Sequence, residues 1–180
     1  MEILGLDMIK KESDTVNITG LDKIRQVFHN DLPRMSPFAL EFTRLVGRLK
    51  ELDREFEEFG ADEHQYEYNP VIPLSKVRAF EERCDVKLPK GYVEFLTQVG
   101  NGGAGPAYGF YSIEELENKH KRTNMLIILD YGCGRFGTLK DNGTVGYIDI
   151  EDKDESLSDE MTFEEFALKW VKDTIRKYEN

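Results

Sequence analysis

The dipeptide Asn142-Gly143, set between two apolar-rich stretches, most constrains the fold of this chain. Asn-Gly favours the tight turn of a β-hairpin, because both residues readily adopt a positive φ. Residues 135–140 and 144–150 are therefore predicted to be antiparallel strands, and residues 125–130 a further buried strand. A hairpin that directly follows a strand argues against an alternating β-α-β array. The expected fold class is α+β, with an antiparallel-rich central sheet flanked by helices.

Capping signals predict where helices surround this sheet. Ser112 with Glu115, and Thr162 with Glu165, have the spacing of capping boxes, so a helix is predicted after each. Apolar periodicity predicts two further short helices between residues 75 and 99. The helix that follows Thr162 closes the chain and carries an apolar stripe. Its middle holds the only tryptophan, which is predicted to be buried against the sheet.

The longest predicted helix precedes these elements. Ser36 is a suitable N-cap, Pro37 suits the first helical position, and Gly60 ends the pattern. Between them, apolar residues recur at alternating spacings of four and three: Phe38, Phe42, Leu45, Leu49, Leu52, Phe56 and Phe59. This heptad seam predicts one helix that continues to Phe59. The seam would be buried either against the chain's own core or by self-association, so both a monomer and a homodimer stay open.

The predicted division of the chain follows from this helix. A connector with two tyrosines and two prolines, residues 60–73, separates it from the rest. Residues 1–65 are predicted to be an N-terminal extension that carries the long helix, and residues 66–180 an α+β domain.

Charge and composition exclude several classes of protein. The chain has 35 acidic and 24 basic side chains, giving a formal charge of −11. Such a polyanion is repelled by phosphates, which argues against direct nucleic-acid binding and permits a basic protein partner. No apolar run approaches the roughly 20 residues of a membrane span. Glu2 and Asp7 occupy positions where a signal peptide would be basic and then apolar, so a cytoplasmic location is expected.

Catalytic and cofactor motifs are not supported by their surroundings. Residues 132–137 match G-x-G-x-x-G, but a predicted hairpin follows where a dinucleotide site needs a helix N-terminus. Residues 100–109 are glycine-rich but lack the Lys and Ser or Thr of a P-loop. The three histidines are scattered. Cys84 and Cys133 predict no disulfide framework, and Cys133 is interpreted as a small buried hydrophobe. No metal, cofactor or enzymatic activity is expected.

Two segments are candidates for contact with a partner. The first is the acidic stretch 149–165, in which an EF-hand fails because glycine and the final glutamate are missing at their required positions. It is either a solvated loop or a docking face for a basic protein. The second is the glycine-rich stretch 100–109, either a rigid turn or a contact loop. The candidate partner-binding residues are Glu151, Asp152, Asp154, Glu155, Asn101, Gly102 and Tyr108.

The order of motifs from about residue 69 to residue 178 resembles the SUKH superfamily, which groups fungal cell-wall-synthesis regulators with bacterial immunity proteins. The residues that carry this resemblance are Phe80-Glu81, Leu88-Pro89, Tyr92, Phe95-Leu96, Asn101-Gly102-Gly103, Gly105-Pro106, Tyr108-Gly109, Ile128 to Gly134, Gly143, Gly146-Tyr147, Thr162-Phe163 and Phe166. The resemblance implies a non-catalytic fold that binds other proteins. It implies an antidote that neutralises a cognate toxin domain, often a nuclease, or alternatively a regulatory or scaffold module with another client.

Overall fold

Six α-helices, one π-helical turn and a three-stranded antiparallel sheet form the part of the chain that the structure describes, residues 35–149 and 161–179. The structure is a computed structural model. Its elements are α1 (Pro37–Leu52), α2 (Ala61–His64), α3 (Leu74–Cys84), α4 (Lys90–Glu94) with the π-helical turn Phe95–Val99, α5 (Ile113–Thr123), β1 (Leu126–Gly132), β2 (Arg135–Leu139), β3 (Val145–Asp149) and α6 (Phe163–Glu179). The predicted α+β class is confirmed.

The predicted helix starts are confirmed by their hydrogen bonds. Ser36 Oγ accepts the backbone N–H of Ala39 at 3.1 Å at the start of α1. Both arms of the capping box before α5 are present. At α6, Thr162 Oγ1 accepts the backbone N–H of Glu165 at 3.3 Å, and Glu165 Oε2 accepts that of Thr162 at 2.9 Å. These bonds satisfy amide groups that have no partner inside the helix.

The central sheet has the order β1-β2-β3, with both pairs antiparallel. Three isolated antiparallel bridges continue it beyond β1: Leu129 pairs with Phe110, Phe110 with Gly103, and Gly103 with Tyr68. The bridges bring two connecting segments, which lie far from β1 in the sequence, to the β1 edge of the sheet. The candidate site is built at this edge.

Two tight turns join the strands. Asn142-Gly143 lies between β2 and β3 as predicted, and the φ of Gly143 is 83°. Gly132, Cys133 and Gly134 make the turn between β1 and β2, all with positive φ. A strand follows these glycines, so the G-x-G-x-x-G match does not form a dinucleotide site.

The predicted extent of the long helix is wrong, because α1 ends at Leu52. Asp53 is buried, and its carboxylate accepts the backbone N–H groups of Glu57 at 2.7 Å and Glu58 at 3.2 Å. It also accepts the Tyr66 hydroxyl at 2.5 Å. These side-chain hydrogen bonds replace the backbone hydrogen bonds that would continue the helix. The helix therefore ends here, and the predicted heptad seam does not continue.

The remaining seam packs inside the chain. Phe38, Phe42 and Leu49 of α1 are buried in the core, and α1 packs along α6. The interpretation of the seam as part of the chain's own core is therefore confirmed for these residues. The division into residues 1–65 and 66–180 stays a prediction.

Aromatic rings fill the centre of the core. Phe163, the first residue of α6, lies with its ring centroid 4.9 Å from Tyr92, 5.6 Å from Phe95 and 5.2 Å from Phe110. These four side chains are buried. The expectation that Trp170 is buried against the sheet is wrong, because this side chain is half-buried and its ring packs 6.2 Å from Phe42 of α1.

Candidate protein-interaction surface

The glycine-rich loop between the π-helical turn and α5 carries three of the predicted partner-binding residues. Asn101 is buried, its side-chain N–H donates to Glu114 Oε2 at 2.9 Å, and its side-chain oxygen accepts the first backbone N–H of α5 at 2.9 Å. Gly102 is buried with a φ of 84°, and a Cβ there would lie 2.6 Å from the backbone nitrogen of Ser112. Asn101 and Gly102 thus shape the loop from inside, whereas Tyr108 is exposed.

Tyr108 packs against Phe59 on the surface, and we call these two residues the aromatic pair. Their ring centroids are 5.3 Å apart, and their side chains are 43% and 63% exposed. Gly132 leaves room for both rings, because a Cβ there would lie 3.3 Å from Tyr108 and 3.4 Å from Phe59. At Gly60 a Cβ would lie only 2.4 Å from the carbonyl oxygen of Ala107. The backbones that carry the two rings therefore touch, which fixes the position of the pair.

A groove with a volume of 710 Å³ opens beside Tyr108. Four carboxylates line it, together with three tyrosines: Glu63, Glu67, Glu115 and Asp130, and Tyr68, Tyr108 and Tyr111. No lysine or arginine is among the described residues that line it. We call it the carboxylate groove. Its concave shape concentrates the negative potential of these side chains.

Asp130 and Tyr111 meet on one wall of the groove. Asp130 Oδ1 accepts the backbone N–H of Gly132 at 2.7 Å, and the Tyr111 hydroxyl lies 3.5 Å from Asp130 Oδ2. Burial, reinforced by the charge of Asp130, raises the pKa of Tyr111, so its hydroxyl stays protonated and donates. Lys119 Nζ lies 5.2 Å from the centroid of the Tyr111 ring. This ring therefore already attracts a cation from the chain itself.

The other three carboxylates are engaged to different extents. Glu115 Oε2 accepts the backbone N–H of Ser112 at 2.8 Å in the capping box. Glu67 forms an exposed ion pair with Lys50. The Glu63 carboxylate makes no hydrogen bond or ion pair with another residue in the described ranges 35–149 and 161–179. Glu63 is thus available for a cation from a partner.

His64 lies between the groove and a smaller cavity of 220 Å³ that reaches Trp170. Its Nδ1 accepts the backbone N–H of Tyr66 at 3.0 Å. Burial lowers the pKa of His64, although hydrogen bonds to the backbone of Gly105 and Ala107 oppose this effect. The imidazole is neutral at pH 7, so it does not repel a cation in the groove.

Other predicted features have different outcomes. Glu151, Asp152, Asp154 and Glu155 lie outside the described residues, so their role stays a prediction. The interpretation of Cys133 as a buried hydrophobe is wrong, because it is exposed at the tip of the turn between β1 and β2.

Residues 35–149 and 161–179 contain no group of three or more metal-ligating side chains and no helix long and apolar enough to cross a membrane.

Sequence reasoning missed Phe59 and the four groove carboxylates. The heptad spacing predicts that Phe59 lies in the buried seam, and only the end of α1 at Asp53 reveals that this side chain is exposed. Glu63, Glu67, Glu115 and Asp130 come from three separate parts of the chain. Their one local signal was the capping-box spacing of Glu115, which indicates a helix start and not a groove.

A known protein family matches the central part of the chain. Residues 72–169 match the SMI1 / KNR4 family (SUKH-1), and these are 98 of the 180 residues. Helix α1, the aromatic Phe59 and the carboxylates Glu63 and Glu67 precede the matched segment. A search of curated proteins finds no match to the chain. The protein belongs to the SMI1 / KNR4 family (SUKH-1).

Proposed function

We propose that this protein is a non-catalytic immunity-type protein that binds and neutralises a cognate toxin domain of a polymorphic toxin system. We take this toxin domain to be basic, as the phosphate-binding cleft of a nuclease is. SUKH domains are protein-interaction modules. The observation that carries the proposal is the exposed aromatic pair Phe59 and Tyr108 beside the carboxylate groove.

The aromatic pair has the character of a binding hot spot. Aromatic side chains are enriched at such positions, where partner contact excludes water from the rings. Exposing two large rings gives little folding benefit, and the close approach of the Gly60 and Ala107 backbones places the two rings side by side. Binding to this pair therefore costs little ordering of the loop.

Charge supports a basic partner. The formal charge of −11 accelerates encounter with a cationic surface, and the groove next to the pair adds a local negative field. The proposed surface contains Tyr108, with Asn101 and Gly102 as residues that position its loop. Glu151, Asp152, Asp154 and Glu155 are proposed as a second anionic contact. The protein would act in the cytoplasm, as a monomer or homodimer.

The test is to express the neighbouring reading frame in a bacterial host with and without this protein. Survival only in the presence of the protein, together with a stable complex of the two purified proteins, is the expected result. A double variant, Phe59→Ala with Tyr108→Ala, should lose protection, whereas Leu40→Ala, which removes another exposed apolar side chain, should keep it. A toxic neighbour that kills equally in both strains would overturn the proposal.

The acidic segment has a separate test. Reversing Asp152 and Asp154 to Lys should slow association with the toxin domain much more than it speeds dissociation, because complementary charges act mainly on the rate of encounter. The difference should shrink as salt increases, since the screening length is about 8 Å at physiological ionic strength. Equal association rates at every ionic strength would remove this segment from the proposed interface.

The alternative is a regulatory or scaffold module with another client. The family match supports it equally well, because fungal regulators and bacterial immunity proteins share the superfamily. A harmless neighbouring gene product that nevertheless forms a stable complex with this protein would favour the alternative.

A further inference from the structure

We propose that the carboxylate groove is the docking site for an arginine-bearing segment of the partner, with the guanidinium group held between tyrosine rings and carboxylates. This inference rests on the proposed function, since it names the chemistry of the partner at that surface. It adds a specific recognition element to the general attraction between an acidic and a basic protein.

The size and charge of the groove fit an inserted cationic side chain. The groove is open to solvent, and its volume of 710 Å³ is comparable with the roughly 300–1,000 Å³ of small-ligand sites. Lys50 offsets the charge of Glu67, which leaves Glu63, Glu115 and Asp130 to face the groove without a lysine or arginine counterion among the described residues. A cation that enters would be attracted to at least three carboxylates.

The polar atoms of the groove are already oriented. The backbone N–H of Gly132 holds Asp130, and the backbone N–H of Ser112 holds Glu115. These fixed carboxylates need little reorganisation when a cation arrives, while Glu63 adds a carboxylate with no competing bond in the described part of the chain. Such preorganisation makes charge-assisted hydrogen bonds effective.

A lysine of the chain already lies over one of the tyrosine rings that line the groove. Lys119 Nζ lies 5.2 Å from the ring centroid of Tyr111 and 5.1 Å from that of Phe136. Tyr108 also lines the groove, and its exposed ring has no cation over it among the described residues. The groove therefore combines an aromatic face and carboxylates within one concave site.

This combination favours arginine over lysine. A guanidinium group is planar, stacks on an aromatic ring and donates two parallel hydrogen bonds to a carboxylate. An ammonium group is a more strongly hydrated point charge and cannot use both features together. We therefore expect the partner to present an arginine next to an apolar site that receives the aromatic pair.

The first experiment titrates the isotope-labelled protein with L-argininamide and, separately, with L-lysinamide, monitored by NMR. Argininamide should shift the amide signals of Glu63, Tyr111 and Asp130 and bind several-fold more tightly than lysinamide. The double variant Glu63→Gln with Asp130→Asn should weaken argininamide binding about tenfold while retaining the fold. The control Glu82→Gln removes an exposed carboxylate of α3 that does not line the groove and should change nothing.

Two outcomes would overturn the inference. One is equal affinity for the two amides, and the other is the absence of groove shifts at the highest argininamide concentration at which the protein stays folded. If the double variant misfolds, its NMR spectrum will show it, and the single variant Glu63→Gln is used instead. We expect this variant to fold, because the Glu63 carboxylate makes no hydrogen bond or ion pair with another described residue.

A second experiment separates this inference from the proposed function. With the toxin domain as the partner, wild-type protection together with unchanged affinity in the Glu63→Gln, Asp130→Asn variant would refute the groove and leave the immunity function standing. Failure of wild-type protection would refute the function, while the argininamide titration still decides the groove. The expected result is a lower affinity for the toxin domain in the groove variant. The control Glu82→Gln should bind the toxin domain as tightly as the wild type.

Discussion

Two groups of aromatic side chains in this protein have opposite surroundings. Phe163, Phe95 and Phe110 are buried, and their ring centroids lie 5.2 to 5.6 Å apart. Phe59 and Tyr108 are packed at a similar distance, 5.3 Å, but remain largely exposed. The ring contacts are alike and only the burial differs. The first group therefore stabilises the fold, and the second is better placed to bind a partner.

The same contrast holds for carboxylates. Asp53 is buried and accepts three hydrogen bonds, from Tyr66 and from two backbone amides. Glu63 faces the groove and accepts none from the described residues. A satisfied buried carboxylate maintains structure, whereas an unengaged carboxylate in a concave site is available to a ligand. Four predictions test this division between core and surface.

The largest expected effect is the loss of a core ring. Phe163→Ala should lower the free energy of unfolding by about 3 to 5 kcal/mol, because the cavity would be surrounded by other buried rings. Phe59→Ala is the matched control and should change it by less than about 1 kcal/mol. Chemical denaturation of the two variants measures both values. Equal losses would show that the two groups do not differ as described.

The second prediction concerns the buried carboxylate. Asp53→Ala should cost about 3 kcal/mol, since it leaves the Tyr66 hydroxyl and two amides without their acceptor. Burial opposes the charged form of Asp53, but the hydrogen bond from Tyr66 and those from the amides of Glu57 and Glu58 outweigh it, so its pKa is lowered.

The pH dependence follows from this direction. A lowered pKa in the folded state means that Asp53 contributes its full stability above the unfolded value of about 3.9 and loses it as pH falls through the folded value. The difference in unfolding free energy between wild type and Asp53→Asn should therefore be constant near neutral pH and shrink in acid. A difference that grows in acid would contradict the assignment.

The third prediction tests the surface pair against the core. Under the proposed function, Phe59→Ala with Tyr108→Ala should weaken toxin binding about 30-fold, equal to about 2 kcal/mol. Stability should change by no more than about 1 kcal/mol, because both rings are exposed. Titration calorimetry and denaturation give the two numbers. Unfolding of the double variant would assign the pair to the core instead.

The smallest expected effect compares two tyrosine hydroxyls, one from the partly buried Tyr68 at the edge of the core and one from the fully buried Tyr92. The Tyr68 hydroxyl is buried without a hydrogen-bond partner among residues 35–149 and 161–179, and burial raises its pKa. Tyr68→Phe should therefore stabilise the protein by up to about 1 kcal/mol. Tyr92→Phe is the matched control: it removes a hydroxyl that donates to the Tyr111 carbonyl at 3.3 Å, so it should destabilise by a similar amount. Equal changes in the two variants would contradict this reading.

Local signals predicted most of the framework. The capping residues Ser36 and Thr162 start helices where expected, and Asn142-Gly143 forms the turn of a hairpin. The π-helical turn Phe95–Val99 had no signal, because its apolar spacing is also that of an ordinary helix. Among the candidate partner residues, Asn101 and Tyr108 lie in one loop, yet one is buried and the other exposed.

The sequence by itself determined the type and order of the strands and of the α-helices other than α2, since caps, turns and apolar periods act over a few neighbouring residues. Helix α2, Ala61–His64, lies in the predicted connector. Only the tertiary structure decided that α1 stops at Leu52, because the bond between Asp53 and Tyr66 joins the end of α1 to the turn that follows α2. It likewise decided that Phe59 meets Tyr108 and that Glu63 and Asp130 share a groove. Pairs so distant along the chain leave no periodic pattern, because their proximity depends on how the whole sheet edge is assembled.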